Sequence, residues 1–419
     1  MLKQEKSWVL YDWANSAYSL LITTAVFPLY FKAAAAEAAI PGNASTAYWG
    51  YANSLATLFI SLCAPILGTI ADYRGFKKKF FTFFVAIGVI FTLLLSIVPS
   101  DQWILLLFFY VLTIIGFAGA NIFYDAFLVD VTTKERMNQV SSRGFAMGYV
   151  GSTIPFILSI ALILLSQKKA IPLTVAAASQ VSFAITAVWW GFFTVPMFKN
   201  VQQLYFIDRE ANLIANSFKR MLRTLKHIKD EYRSLFLFLL AYFFYIDGVN
   251  TIITMSTAYG SDLGISSTSL LIILFVTQIV AAPFSLLYGR LAEKWNEKSM
   301  LLIGIAVYII ICTYAYFLKT ALDFWILAML VASSQGGIQA LSRSYFAKLA
   351  PKESANEFFG FYNIFYKFAA ILGPFLVGLT AQISNKTNTG VFSLIFLFII
   401  GGILLWKVPI VKKISARKE

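Results

Sequence analysis

Histidine occurs once in this chain, at His227, and cysteine twice, at Cys63 and Cys312. That scarcity leaves no Cys/His cluster able to hold zinc. The two cysteines fall in different apolar runs and read as reduced core residues. No glycine-rich loop ending in Lys-Ser or Lys-Thr is present to cradle nucleotide phosphates. Charge is scarce too: Asp, Glu, Lys and Arg make up 13% of the residues, where soluble chains carry about 25%. These absences predict no metal and no cofactor. An enzyme is also not expected, since a membrane-embedded one would have only a lone histidine and no metal cluster to work with.

What is abundant is apolar: 59% of residues are hydrophobic and the mean hydropathy is +0.74. A membrane-spanning helix needs about 20 consecutive apolar residues. Twelve such runs recur, at about 8–31, 46–71, 80–99, 103–127, 143–166, 172–195, 234–258, 267–290, 299–318, 322–343, 357–381 and 390–410. The first lacks a small-residue cleavage site after a short core, so it is expected to remain as a span. Connections are short except for one polar stretch in mid-chain. The expected fold is therefore all-α: a polytopic membrane protein of twelve transmembrane helices in two pseudo-symmetric six-helix bundles. Residues 1–195 form the first bundle, 196–233 a linker with an amphipathic helix, and 234–419 the second.

A net charge of +14 would suit nucleic acid, but its distribution argues for a membrane instead. Only five of the 34 Lys and Arg (Lys32, Lys168, Lys169, Lys319, Lys386) fall in what would be outer loops, and Lys367 falls within a span. The remainder sit at the termini and in the alternate loops. By the positive-inside rule this predicts both termini in the cytoplasm. In the linker, Ile214, Phe218, Met221, Leu222, Leu225 and Ile228 share a helical face, and Lys219, Arg220, Arg223, Lys226 and Lys229 take much of the rest. Either a helix lying on an anionic leaflet or a solvated linker helix satisfies that pattern.

The two halves echo each other. The second span ends in GTIADYRGFKKK, with Gly68 and Asp72; the eighth ends in GRLAEKWNEK, with Gly289 and Glu293, 221 positions on. The fourth and tenth spans pair Asn121 with Gln339 and Asp125 with Arg343, 218 positions apart. A weaker echo sets Asp12 and Asn15 against Asp247 and Asn250. Parallel six-helix repeats are a known transporter architecture with the site between halves.

Polar residues inside apolar spans are the informative ones, because lipid cannot satisfy them. Asp12 and Asn15 lie on the first span, Asp247 and Asn250 on the seventh, Gln335, Gln339 and Arg343 on the tenth, and Asn363 and Lys367 on the eleventh. Asn and Gln in such places often serve only as interhelical glue, worth about 0.6 kcal/mol each. Asp247 and Lys367, near mid-span, form either one buried ion pair or a water-lined site. The expected substrate-binding set is Asp12, Asn15, Asp247, Asn250, Gln335, Gln339, Asn363 and Lys367. Asp125, Arg343, Asp72, Arg74, Lys77 and Glu293, at span ends, are expected to gate, with Gly68 and Gly75 in the same loop motif.

The stretch Gly68–Lys79 resembles the loop between the second and third helices of the major facilitator superfamily, although Phe76 stands where a basic residue is common. That resemblance implies a latch in which Asp72 and the basic residues close the cytoplasmic side. YDWANSAY (11–18), FYDAFL (123–128), YIDGVNTI (245–252) and the block from Gln335 to Pro374 together resemble the autophagy-related vacuolar amino-acid effluxer family and its bacterial relatives. The resemblance implies a secondary transporter of a small solute such as an amino acid, in a bacterial plasma membrane. A vacuole lumen is topologically outside, so the family label leaves direction open. The partners expected are a small-molecule substrate, the lipid bilayer and protons as a coupling ion, with Asp247 their carrier. Nucleic acid is not among them, and the two-bundle arrangement can work as a monomer. Rival readings are a carrier of lipid-like or other organic solutes and a receptor built on the same scaffold.

Overall fold

A computed structural model describes residues 1–208, 212–262, 264–384 and 387–409. Lys386, one of the expected outer-loop lysines, lies outside them, as does the tail beyond 409. The first span divides into α1 (Lys3–Tyr18), a π-helical stretch at Ser19–Ala25 and α2 (Phe27–Glu37). Then come α3 (Gly42–Ala71), α4 (Phe76–Leu95), α5 (Trp103–Ala126), the short α6 (Leu128–Val131), α7 (Met137–Gln167) and α8 (Val175–Asn200). The linker helix α9 (Leu213–Glu231) leads into α10 (Arg233–Asp262), α11 (Ser267–Lys294), α12 (Glu297–Tyr316), α13 (Ala321–Leu349) and α14 (Ala355–Ser384). The last span is α15 (Thr387–Ser393) with α16 (Ile395–Lys407).

Among the described residues, twelve spans are long and apolar enough to cross a bilayer. An even number puts both chain ends on one side, which we call the terminal face. Large apolar side chains such as Leu55, Phe83, Phe108, Val188, Ile310 and Phe396 point outward, 52% or more exposed, as lipid solvation requires. The aromatic residues fill the interior: Trp8, Tyr18, Phe27, Tyr110 and Trp190 are fully buried.

The helix pairs that join the bundles most extensively are α3 with α14 and α7 with α11. All four carry an interior proline: Pro65, Pro283, Pro155 and Pro374. Pro65 and Pro283 are equivalent under the repeat, as are Pro155 and Pro374. Proline removes one backbone bond and bends the helix. The pairs can thus converge at one face and diverge toward the other.

The structure also shows where the linker begins. Asp130 Oδ1 accepts the backbone N–H of Leu204 and of Tyr205, at 2.8 and 3.0 Å. Gln203 accepts the Gly75 N–H and donates to the Ala71 carbonyl. Gly75 has φ +82°, the left-handed region that glycine supplies, and it lets α4 start immediately after the turn.

Candidate functional site: a closed terminal face beneath a polar gap

At the terminal end of α3, Asp72 is fully buried and reaches across to the start of α14. Its Oδ1 accepts the Asn356 backbone N–H and side-chain amide, both at 2.9 Å, and Oδ2 accepts the Glu357 N–H at 3.3 Å. A carboxylate there satisfies the otherwise unpartnered N–H groups of a helix start and meets its positive dipole end. Arg220, from α9, completes the arrangement. Its Nη2 donates to Asp72 at 3.0 Å and to the Thr69 carbonyl at 2.6 Å, and its Nε to Glu357 at 3.0 Å. One guanidinium thus ties a carboxylate of each bundle. Burial pushes the Asp72 carboxyl up to about 7, against the pull of Arg220 and the Asn356 amide.

The basic residues expected to join this latch do other work. Arg74 lies over the Phe206 ring at 5.1 Å, and its backbone N–H donates to Ile207. Lys77 is fully buried and pairs with Asp130 at 2.6 Å inside the first bundle. Asp130 is the only carboxylate Lys77 meets among the described ion pairs. Glu293, the repeat equivalent of Asp72, accepts the Gln139 side-chain amide at 2.8 Å, again across the bundles. Glu297 beside it holds Asn138 at 2.6 Å and is ion-paired to Lys348.

Deeper in, Arg343 of α13 is nearly buried between the bundles. It donates to Asp12 at 3.0 Å, to Asp125 at 3.1 Å and to the Ser141 hydroxyl and carbonyl at 3.0 and 3.1 Å. Trp8 and Phe145 sandwich it at 4.6 and 4.4 Å. Asp125 and Arg343, equivalent positions of the two halves, thus meet each other. Asp12, expected among substrate ligands, instead belongs with this closure: Arg343 takes its carboxylate, and Gly144 packs against its outer oxygen.

Beyond Arg343 the polar side chains loosen. Asn15 donates to Asn121 at 2.7 Å within the first bundle, and Tyr149 donates to Gln339 across the gap at 3.2 Å. On α14, Asn356 and Gly360 touch α3, so Asn363 and Lys367, seven and eleven residues past Asn356, continue the face turned to the first bundle. Eleven residues are about 16 Å of helix, roughly half of a hydrocarbon core about 30 Å thick. There Lys367 is partly exposed, with the Tyr366 ring 5.8 Å away and, among the described residues, no carboxylate within 4 Å. Asn363 Oδ1 is buried without a hydrogen-bond partner. Asn250 approaches the Tyr366 hydroxyl.

Of the two readings of Asp247 and Lys367, the buried ion pair is not formed among the described residues. Asp247 is fully buried; its Oδ2 accepts the Gly373 N–H at 2.8 Å, and Thr251 donates to Oδ1 at 3.4 Å. It caps the interruption that Pro374 makes in α14, and in this conformation nothing exposes it to a solute or to water. Gln335, also expected to bind, lines a separate, mostly apolar cavity of about 90 Å³ inside the second bundle with Thr251, Tyr259, Thr277 and Gln278.

Sequence reasoning missed Arg220, Asn356, Glu357 and Tyr149. Asn356-Glu357 at the start of a span was a readable signal, because helix starts collect acidic and amide side chains. Arg220 offered none, being one of five cations on a linker helix.

Residues 3–418 match the family model described as vacuole effluxer Atg22 like. The MFS-type transporter YxiO of Bacillus subtilis (strain 168) is 66% identical over 407 residues, 97% of this chain and 95% of its own length. Autophagy-related protein 22 of Candida glabrata is 23% identical, covering 89% of this chain and 78% of its own. The human organic anion transporter MFSD10 superposes with a TM-score of 0.72 at 12% identity, over 96% of this chain and 99% of that one, which shows a shared fold. With paired six-helix bundles, proline-bent crossing helices and Asp72 bridging the bundles, the chain belongs to the Atg22-like family of major facilitator transporters.

Proposed function

We propose that the chain is a secondary transporter that binds a small zwitterionic solute, an amino acid, beside Lys367 and alternates access by opening and closing its terminal face. The observation that carries this reading is the Lys367 ammonium: it lies on the inter-bundle face of α14, about mid-depth, with no acidic partner among the described residues. An unpaired cation in a span is costly, on the order of 2.5–3.5 kcal/mol at the bilayer centre, and marks function by default. Lys367 meets the carboxylate of the solute. Asn363 Oδ1, Asn250 and Gln339 offer oxygens to its ammonium. Asp72 with Gly68 and Gly75, Glu293, and the Arg343–Asp12–Asp125 set form the gate.

The bias of Lys and Arg supports a terminal face that lies in the cytoplasm of a bacterial cell. With that face closed, the gap beside Lys367 opens outward. The units that rock are 1–195 and 234–419, joined by 196–233, and a single copy contains the whole path. Protons are the proposed coupling ion, though Asp247 could carry one only in another conformation.

Uptake of labelled amino acids into proteoliposomes, with and without a pH gradient, tests the reading. Lys367→Ala should lower uptake at least tenfold while the protein stays folded. If no amino acid is taken up or competes, the substrate assignment fails. A second reading, an organic anion without an amine, is favoured because Asp12 and Asp247 are both already engaged and neither is free for an ammonium. Competition by simple carboxylates equal to that by amino acids would favour it.

A further inference from the structure

Helix α9 buries Ser217, Met221 and Ile228 against the protein and packs beside the terminal ends of α3 and α10. The opposite flank of the helix faces away from the protein. Ile214, Phe218, Leu222 and Leu225 occupy that flank, spaced four, four and three residues apart, and all are 46% or more exposed. The neighbouring arc carries Lys219, Arg223, Lys226 and Lys229, each exposed. A half-exposed apolar stripe bordered by cations fits the headgroup boundary of an anionic bilayer, where each Lys or Arg contributes about 1 kcal/mol.

The same helix sends Arg220 the other way, into the latch, where it holds Asp72 of the first bundle and Glu357 of the second. When the bundles part at this face, Arg220 must release one of the two. The seat of α9 therefore bears on the closure.

We propose that anionic phospholipid of the terminal-side leaflet docks on the Lys219–Arg223–Lys226–Lys229 arc of α9 and, through Arg220, stabilises the closed terminal face. The lipid content of one leaflet then sets how often the transporter turns inward. The coupling does not depend on which solute is carried, and it is read without any solute, so its failure would leave the proposed substrate untouched.

The test uses the full chain with Cys63→Ala and Cys312→Ala, and spin labels on Thr133→Cys and Glu353→Cys, at exposed positions of the two bundles on the terminal face. Distances are measured by pulsed electron resonance in nanodiscs of phosphatidylcholine and of an equal mixture with phosphatidylglycerol. The anionic mixture should raise the ratio of short to long distances about tenfold, and high salt should reduce that gain. Replacing the four arc cations by glutamine should remove the lipid response while both distances remain populated. Arg220→Gln should remove it too, although the helix keeps its cations. Equal ratios in the two lipids, or an unchanged response in either variant, would overturn the proposal.

Discussion

The two copies of the inter-bundle contact differ more than the repeat suggests. In the first, Asp72 caps a helix of the opposite bundle through two backbone N–H groups, and a linker arginine ties it to Glu357. In the second, Glu293 accepts the Gln139 side-chain amide and Glu297 that of Asn138, with no backbone N–H capped by either in these bonds. Gly68 and Gly289 are equivalent, yet a Cβ at 68 would come within 2.3 Å of the Asn356 carbonyl oxygen, while one at 289 would meet the Ser142 hydroxyl at 2.5 Å. The Ser142 hydroxyl can rotate away, but its Cβ, 2.7 Å from the same point, cannot, so both positions are tight and 68 is the tighter. One side is a rigid, charged lock and the other a soft polar contact, so the terminal face should part first along α7 and α11.

The largest expected effect lies at Arg343, which serves both sides. Removing one member of a buried ion pair costs about 3–5 kcal/mol because the remaining charge is stranded. Arg343→Gln leaves Asp12 and Asp125 facing each other and should destabilise the protein by that order, read as thermal stability in detergent, with transport lost. Adding Asp12→Asn and Asp125→Asn should recover most of the stability without recovering transport. Failure of that rescue would mean that Arg343 is needed for packing between Trp8 and Phe145.

Gly68→Ala and Gly289→Ala rank next. The alanine at 68 should hold α3 off α14 and reduce the closed population at least tenfold, as overpacking costs about 1–3 kcal/mol. The one at 289 should act at least threefold less. Equal effects would refute the distinction between the lock and the soft contact. Labelled distances across the terminal face report both.

Much of this was legible in the sequence, for physical reasons. Lipid solvation forces long apolar runs, so the spans could be counted, and the Gly68/Gly289 and Asp125/Arg343 offsets marked the repeat of two six-helix halves. Charge partners were not legible. Arg74 and Lys77 adjoin Asp72 in sequence but point elsewhere, because α4 turns away at Gly75 and Asp130 waits for Lys77. Asp247 read as a site because it lies opposite Lys367 in depth, yet the N–H freed near Pro374 claimed it. A pattern of spacing shows which face a residue shares; it does not show which of several nearby donors will reach it.

The lock should also be proton-sensitive where the soft contact is not. Closure raises the Asp72 carboxyl from its ordinary value near 4 to about 7, because burial outweighs Arg220. The closed face therefore binds a proton that the open face releases. Its stability is greatest below the ordinary value and is lost as pH rises through about 7. The short-distance population should fall between pH 5 and pH 8, and Asp72→Asn should flatten the curve. A fall that persists in Asp72→Asn would assign the proton to another group.

Glu293 offers the smallest effect and the sharpest contrast. Glu293→Gln removes one side-chain hydrogen bond acceptor charge and should change the closed population by no more than about tenfold, since such a bond contributes roughly 0.5–1.5 kcal/mol. Gln139→Arg places a cation of the first bundle opposite Glu293. Both positions are only partly buried, so the new pair should contribute about 0–1 kcal/mol and should fade in high salt. If it instead stabilised closure as strongly as Arg220 does, position on the helix start would matter less than charge. The asymmetry between the copies would then come from charge, and not from the way Asp72 caps α14.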